Sequence, residues 1–312
     1  MELKAFQPGQ QDCIFHHNNT QTPTENRFLS LLSLKGRTAV VTGAGGGIGF
    51  AVVEAFAEAG ANVALWYNTS ALARTLSKGQ QRSQRGKAYQ VDLTDEAALN
   101  ATLDQTVIDL NGRLDIFVSN AGIPWLYGRV IDSPSDQFLH LMNVNLMTSY
   151  YAAKAAGKYF ERQKLEGTNI KGENLENYNC GGSFIAGTPY GVSKAALTHL
   201  AKGLAIEFVK FARVNIVSPA YIDTEMLKVA PDSIRTPWKG RTPMGREGTV
   251  NEIKGAYVYL ASDASSYATG TEIVIDGGPS TSETGKGIIH VDLIAKSTSA
   301  SAIFSIPNRL TA

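Results

Sequence analysis

Between Thr38 and Gly60 the chain commits to one local geometry. Thr38-Ala39-Val40-Val41 is a short apolar run of β type, and Thr42-Gly43-Ala44-Gly45-Gly46-Gly47-Ile48-Gly49 follows it directly. Ile48, Val52, Ala55, Phe56 and Ala59 then share one face of a helix that Gly60 stops. A glycine cluster alone says little. Placed between a strand and a helix, it predicts a turn whose backbone can approach a pyrophosphate. The helix N-terminus adds unpaired N–H groups and positive potential.

The alternation continues down the chain. Strands are expected at 61–66, 88–91, 115–119, 183–186, 213–217 and 272–275. Helices are expected from 95, with Thr94 as N-cap, and over 135–160, 190–211 and 250–261. Such alternation implies parallel strands joined by right-handed crossovers. The continuous apolar texture of the strands fits a sheet covered on both faces. The fold class is therefore α/β, a doubly wound parallel sheet (Rossmann fold), as a single domain over 34–279. Residues 1–33, rich in Gln, Asn, His and Thr, read as a flexible leader. A polar insertion at 161–182 and a Ser/Thr-rich tail at 280–312 break the pattern. Within that tail, 287–294 either adds a strand or has no regular structure.

Composition narrows the function. Hydrophobic residues make up 43% of the 312, enough for a sizeable core. The formal net charge of +1 provides no field toward nucleic acid or an anionic membrane. No apolar run reaches the roughly 18 residues needed to span a bilayer. No basic segment followed by an apolar one opens the chain, so a cytoplasmic protein is expected. Cys13 and Cys180 form no C-x-x-C pair and read as unpaired thiols in a reducing compartment. His16-His17 sits in a polar stretch without further ligands, so no metal site is expected.

The end of the second strand bears on the cofactor. NAD enzymes usually place a carboxylate there to hold the ribose 2′-hydroxyl. Leu65-Trp66-Tyr67-Asn68-Thr69-Ser70 has none. A carboxylate would repel a 2′-phosphate, whereas amides and hydroxyls can donate to one. NADP(H) is the expected cofactor, with Asn68 beside it and Arg74 the nearest cation. Asp92, ending strand three, either contacts the adenine or caps a turn with Thr94. Asn120-Ala121-Gly122 closes strand four at the sheet's carboxyl edge, where ligands bind in open α/β sheets.

Residues 42–49 resemble the TGxxxGxG turn of the short-chain dehydrogenase/reductase family. Asn120-Ala121-Gly122 resembles its NAG motif, and Tyr190-Gly191-Val192-Ser193-Lys194 its catalytic YxxxK motif. Asn145 falls where the family's catalytic Asn lies. Residues 219–224 resemble the segment that follows strand six and holds the nicotinamide, and Asp276-Gly277-Gly278 the usual ending. The likeness runs from about 34 to 278 and is broken at 161–182. Within the family, Trp66-Tyr67-Asn68, Ile123-Pro124-Trp125 and Tyr221-Ile222-Asp223-Thr224 are similar to the fungal NADP-dependent mannitol dehydrogenase and sorbose reductase group. The resemblance implies a dimeric or tetrameric enzyme acting on a small-molecule ketone or secondary alcohol. Tyr190, Lys194 and Asn145 would be catalytic. Gly43, Gly47, Ile48, Gly49, Asn68, Asp92, Asn120, Tyr190, Lys194, Ile222 and Thr224 would line the cofactor.

The Tyr/Lys pair also makes chemical sense. Hydride transfer to a ketone leaves a developing alkoxide that needs a proton. A free phenol is too weakly acidic to exchange readily near neutral pH. A lysine four residues on shares its helical face, and the positive charge favours the phenolate. Asn145 would orient a water in a proton relay.

One part of the pattern is missing. Counting back the family's usual interval from Tyr190 lands on Asn177-Tyr178-Asn179, not on the expected Ser. Ser183 would open its expected strand, roughly 10 Å from the strand's exit at about 3.3 Å per residue, so it is set aside. Ser193 lies inside the YxxxK helix and faces elsewhere. Two functions stay open. One is a working NADP(H)-dependent oxidoreductase. The other is a dinucleotide-binding protein with impaired or no catalysis.

Overall fold

The computed structural model describes residues 24–69, 86–168, 175–179 and 188–281. Seven parallel strands form one sheet in the order β3-β2-β1-β4-β5-β6-β7. They are β1 (Thr38–Val41), β2 (Asn62–Tyr67), β3 (Gly86–Gln90), β4 (Ile116–Ser119), β5 (Leu175–Asn179), β6 (Arg213–Pro219) and β7 (Glu272–Ile275). The order reverses between β1 and β4, which opens the ligand crevice of a doubly wound sheet at their carboxyl ends.

The apolar runs hide a period of two. Val40, Ala64, Trp66, Phe117, Val214 and Ile216 belong to the core on one face. Ala39, Val41, Val63, Leu65, Ile116, Val118 and Val217 belong to the core on the other. Helices α3 (Glu96–Asp109), α5 (Thr148–Glu166) and α6 (Thr188–Glu207) cover the first face through Leu99, Leu103, Ala156, Phe160, Leu197 and Leu204. Helices α2 (Gly47–Glu58) and α9 (Val250–Ala261) cover the second through Val52, Phe56, Ile253, Tyr257 and Leu260. Each large side chain buried this way contributes about 2 kcal/mol, and burial on both faces is what the continuous apolar strands forecast.

Three expectations are corrected. The fifth strand is Leu175–Asn179, inside the stretch read as an insertion, and it pairs with both β4 and β6. The expected strand at 183–186 falls outside the described residues. The α3 N-cap is Asp95, not Thr94: its side chain accepts from the Ala97 and Ala98 N–H groups at 2.9 and 3.1 Å. The helix expected over 135–160 is α4 (Ser135–Met142), a π turn over Asn143–Met147, then α5. Residues 24–33 of the expected leader are described and contain a one-turn helix, α1 (Phe28–Leu31); Leu34, where the domain was expected to begin, is fully buried. Of the tail, the structure describes only a 3-10 turn at Pro279–Thr281, so 287–294 lies outside it.

Candidate active site

The glycine turn is built against the end of β4. Thr42 N–H donates to the Val118 carbonyl at 3.0 Å. Thr42 Oγ1 accepts from the N–H groups of Asn120 and Ala121 at 3.0 and 3.1 Å. The Asn120 amide then donates to the carbonyls of Thr42 and Gly43 at 3.0 and 3.3 Å. Asn120 thus braces the turn with its side chain. The crowding explains two glycines. A Cβ on Gly43 would lie 2.8 Å from the Ala121 Cα, and one on Gly49 would lie 2.6 Å from Asn120 Nδ2. No side-chain hydrogen bond caps the α2 N-terminus beyond the turn. A cradle of backbone with an uncapped helix end fits a pyrophosphate. Ile48 sits in the first turn of α2, half-buried.

The other end of the crevice is assembled by β2, β3 and β6. Asn68, just past β2, is exposed, and its carbonyl accepts from Gln90 Nε2 at 2.8 Å. Ser70 and Arg74 lie outside the described residues. Asp92 Oδ1 accepts from the N–H and hydroxyl of Thr94 at 2.9 and 2.7 Å. Those bonds, the hydroxyl first, hold the Asp92 carboxyl below its usual range. Of the two readings of Asp92, the turn with Thr94 is formed; one carboxylate oxygen is engaged in it. Past β6, Ile222 is buried and pairs with Gly248, and Asp223 N–H donates to the Gly248 carbonyl at 2.9 Å. Thr224, the N-cap of α7 (Glu225–Lys228), reaches the phosphate turn, where a Cβ on Gly47 would lie 3.2 Å from its Cγ2. Tyr221 stacks on Trp238 of α8 (Asp232–Arg241), with ring centroids 4.8 Å apart and planes at 6°.

Tyr190 and Lys194 lie one turn apart on α6, and both are buried. Lys194 Nζ is 5.4 Å from the centroid of the Tyr190 ring. A Cβ on Gly122 would meet Lys194 Nζ at 3.5 Å and Asn145 Oδ1 at 3.2 Å, so the segment after β4 passes directly over both. Asn145 is fully buried in the π turn, a helix irregularity common at functional sites. Its Oδ1 accepts from Ile123 N–H, and its Nδ2 donates to the Ile123 carbonyl and to Ser193 Oγ. Both amide hydrogens are therefore engaged, so a water would be held by an Asn145 oxygen and not by its amide hydrogens. Ser193 Oγ in turn donates to the Tyr190 carbonyl at 2.8 Å. Sequence reasoning passed over the wall beside Tyr190, which consists of Trp125 and Leu141 with Ile123 and Phe138.

Strand β5 ends at Asn179, so the position where the family carries its Ser holds Asn177-Tyr178-Asn179. Ser183 and the strand expected to hold it lie outside the described residues. Ser183 lies four residues past the end of β5, in the undescribed connection to α6. Among the described residues, no cluster of His, Cys, Asp or Glu is arranged to hold a metal ion, and no helix is long and apolar enough to cross a membrane.

Comparison with known proteins agrees with this geometry. The family model described as enoyl-(acyl carrier protein) reductase, of the short-chain dehydrogenase C2 type, matches residues 43–280. The L-xylulose reductase of Hypocrea jecorina is 48% identical over 280 residues, covering 85% of this chain and 97% of that one. Since 85% of 312 residues is about 265, about 15 of those aligned positions face no residue here. An NADP-dependent mannitol dehydrogenase of the same species is 40% identical over 267 residues, covering 83% and 98%. Among solved structures, the NADPH-dependent 3-quinuclidinone reductase of Rhodotorula rubra superposes with a TM-score of 0.76 at 32% identity, covering 84% and 98%. Fold, motif order and relatives agree that the chain belongs to the short-chain dehydrogenase/reductase family of oxidoreductases.

Proposed function

We propose that this chain is an NADP(H)-dependent oxidoreductase that interconverts a ketone and a secondary alcohol, with Tyr190 as the proton donor and acceptor. The observation that carries the reading is the pairing of Tyr190 and Lys194. Two buried polar groups, one turn apart, stand at the sheet's carboxyl edge beside the Asn120–Gly122 segment. When bound, the nicotinamide supplies or accepts the hydride. Tyr190 gives its phenolic proton to the oxygen of the carbonyl being reduced and takes it back in oxidation. The Lys194 ammonium stabilises the phenolate left behind. Gly43, Gly47, Ile48 and Gly49 would hold the pyrophosphate, and Asn68 the 2′-phosphate end. Asp92 would flank the adenine, and Asn120, Ile222 and Thr224 the path between. NADP(H) is supported by the carboxylate-free end of β2 and by the NADP(H) dependence of the mannitol dehydrogenase and quinuclidinone reductase relatives. A homo-oligomer is proposed from family resemblance alone and is tested by light scattering.

The names of the relatives point to sugars and polyols. The test is reduction of L-xylulose and sorbose, and oxidation of mannitol, with each nicotinamide cofactor. Turnover with NADPH is expected, and Tyr190→Phe should lower it on the order of 100-fold or more. Full turnover in Tyr190→Phe would sink the proposed role.

A second reading has its own support: no Ser ends β5, and about 15 positions of the xylulose reductase have no counterpart here. A hydroxyl that polarises the carbonyl contributes about 3 kcal/mol. A binding protein with impaired catalysis would quench its tryptophan fluorescence on NADPH addition yet turn over none of these substrates. Ser183→Ala separates the readings further, because it lowers turnover only if Ser183 serves the site from the connection after β5.

A further inference from the structure

We propose that Trp125 is a positioning residue for Tyr190, acting as the fixed wall that holds the phenol over Lys194. This rests on the reading of Tyr190 as the proton donor. Trp125, Leu141 and Tyr190 form a small apolar cluster of their own, apart from the two cores of the sheet, at 2%, 1% and 7% exposure. The three side chains come from the loop after β4, from α4 and from α6. A phenol on a helix keeps two side-chain torsions, and packing against fixed neighbours is what removes them.

The indole is well suited to that task because its own loop is pinned on both sides. Its Nε1–H donates to the Gly128 carbonyl at 2.9 Å, closing a turn that Gly128 completes at φ +70°. The Tyr127 ring packs edge-on against it at 5.2 Å. Two residues upstream, Asn145 holds Ile123 by both its N–H and its carbonyl, at 2.8 and 3.1 Å. Pro124 lies between the two anchors and restricts the backbone that links them. Ser193 ties the same Asn145 to the carbonyl of Tyr190. The Trp125 loop and the Tyr190 backbone, whose side chains share this cluster, are thus referenced to one buried amide.

A misplacement of about 1 Å can cost on the order of 100-fold in rate. Trp125→Ala should therefore lower kcat on the order of 100-fold while NADPH affinity, read by fluorescence of the remaining tryptophans, stays unchanged. Trp125→Phe, which keeps an aromatic wall, should recover most of the loss. The deciding measurement is a double-mutant cycle with Tyr190→Phe, read as single-turnover NADPH oxidation at high enzyme concentration. Trp125→Leu replaces the alanine variant if that does not fold. If Trp125 acts through Tyr190, its loss has no further effect once the phenol is gone. Equal losses in both backgrounds, an unchanged kcat, or a matching loss of NADPH affinity would overturn the proposal. Full activity in Tyr190→Phe alone would instead overturn the role given to Tyr190, so the two failures are distinct.

Discussion

Asn145 grips Ile123 by both of its backbone polar groups, 22 residues away in the chain. Asn145→Ala would leave a part-buried N–H and a part-buried carbonyl without those partners, each bond worth about 0.5–1.5 kcal/mol. The variant should lose both thermal stability and turnover. Tyr190→Phe should lose turnover far more than stability. Paired melting curves and rates of the two variants check this.

The glycines of the phosphate turn should rank by what a methyl group meets. Gly49→Ala drives a Cβ to 2.6 Å from Asn120 Nδ2 and 2.7 Å from the Gly43 carbonyl, so the turn must distort and the melting temperature should fall. At Gly46 a Cβ meets nothing within 4 Å and the backbone is extended, so the alanine variant should fold normally. A loss of NADPH affinity in Gly46→Ala with unchanged melting would mark where the ligand approaches the backbone. Isothermal titration alongside calorimetry separates the two effects.

Asn68→Asp should reverse the cofactor preference. A carboxylate at the end of β2 accepts from a ribose 2′-hydroxyl and repels a 2′-phosphate. The ratio of kcat/KM for NADPH over NADH should fall at least about tenfold, which corresponds to about 1.4 kcal/mol. An unchanged ratio would move the selectivity to other residues.

Acid stability should carry a component from Glu252. It closes a capping box with Thr249 at the α9 N-terminus and pairs with Arg246 at 2.7 Å. The Arg246 hydrogen bond first, then the Thr249 N–H, hold its carboxyl down at about 2, against an ordinary 4.5. The folded state thus binds this proton less readily than the unfolded chain. Its contribution is full above pH 4.5 and is lost as pH falls toward about 2. Glu252→Gln should flatten that limb of a stability-versus-pH curve and leave its neutral end lower.

Legibility in the sequence followed the kind of force involved. Helix α9 and strand β7 run over the residues expected, because apolar spacing and flanking turn residues mark them. Strand β5 carries no such mark. Leu175-Glu176-Asn177-Tyr178-Asn179 enters the sheet through backbone hydrogen bonds, which any side-chain sequence can make. At the site, Tyr190 and Lys194 were readable from the family motif they match, and one helix brings them together. Trp125 lies 65 residues before Tyr190, and only tertiary packing makes them neighbours. Asn120 and Asn145 were visible as residues of the site, but their attachment to backbone groups was not. A side chain's hydrogen-bond partners depend on how distant loops meet.

The approach of Thr224 to Gly47 has a kinetic consequence. It joins the segment after β6 to the phosphate turn, across the crevice where the dinucleotide would lie. A dinucleotide held as proposed would load and unload only when these two segments part, while the smaller substrate would need no such opening. Steady-state turnover should accordingly be ordered, with the nucleotide first on and last off, and its departure should set the ceiling on kcat. Product-inhibition patterns test the order. Replacing Thr224 with glycine should speed nucleotide exit, and a maximal rate that rises as affinity falls would reveal the clasp as the slow step.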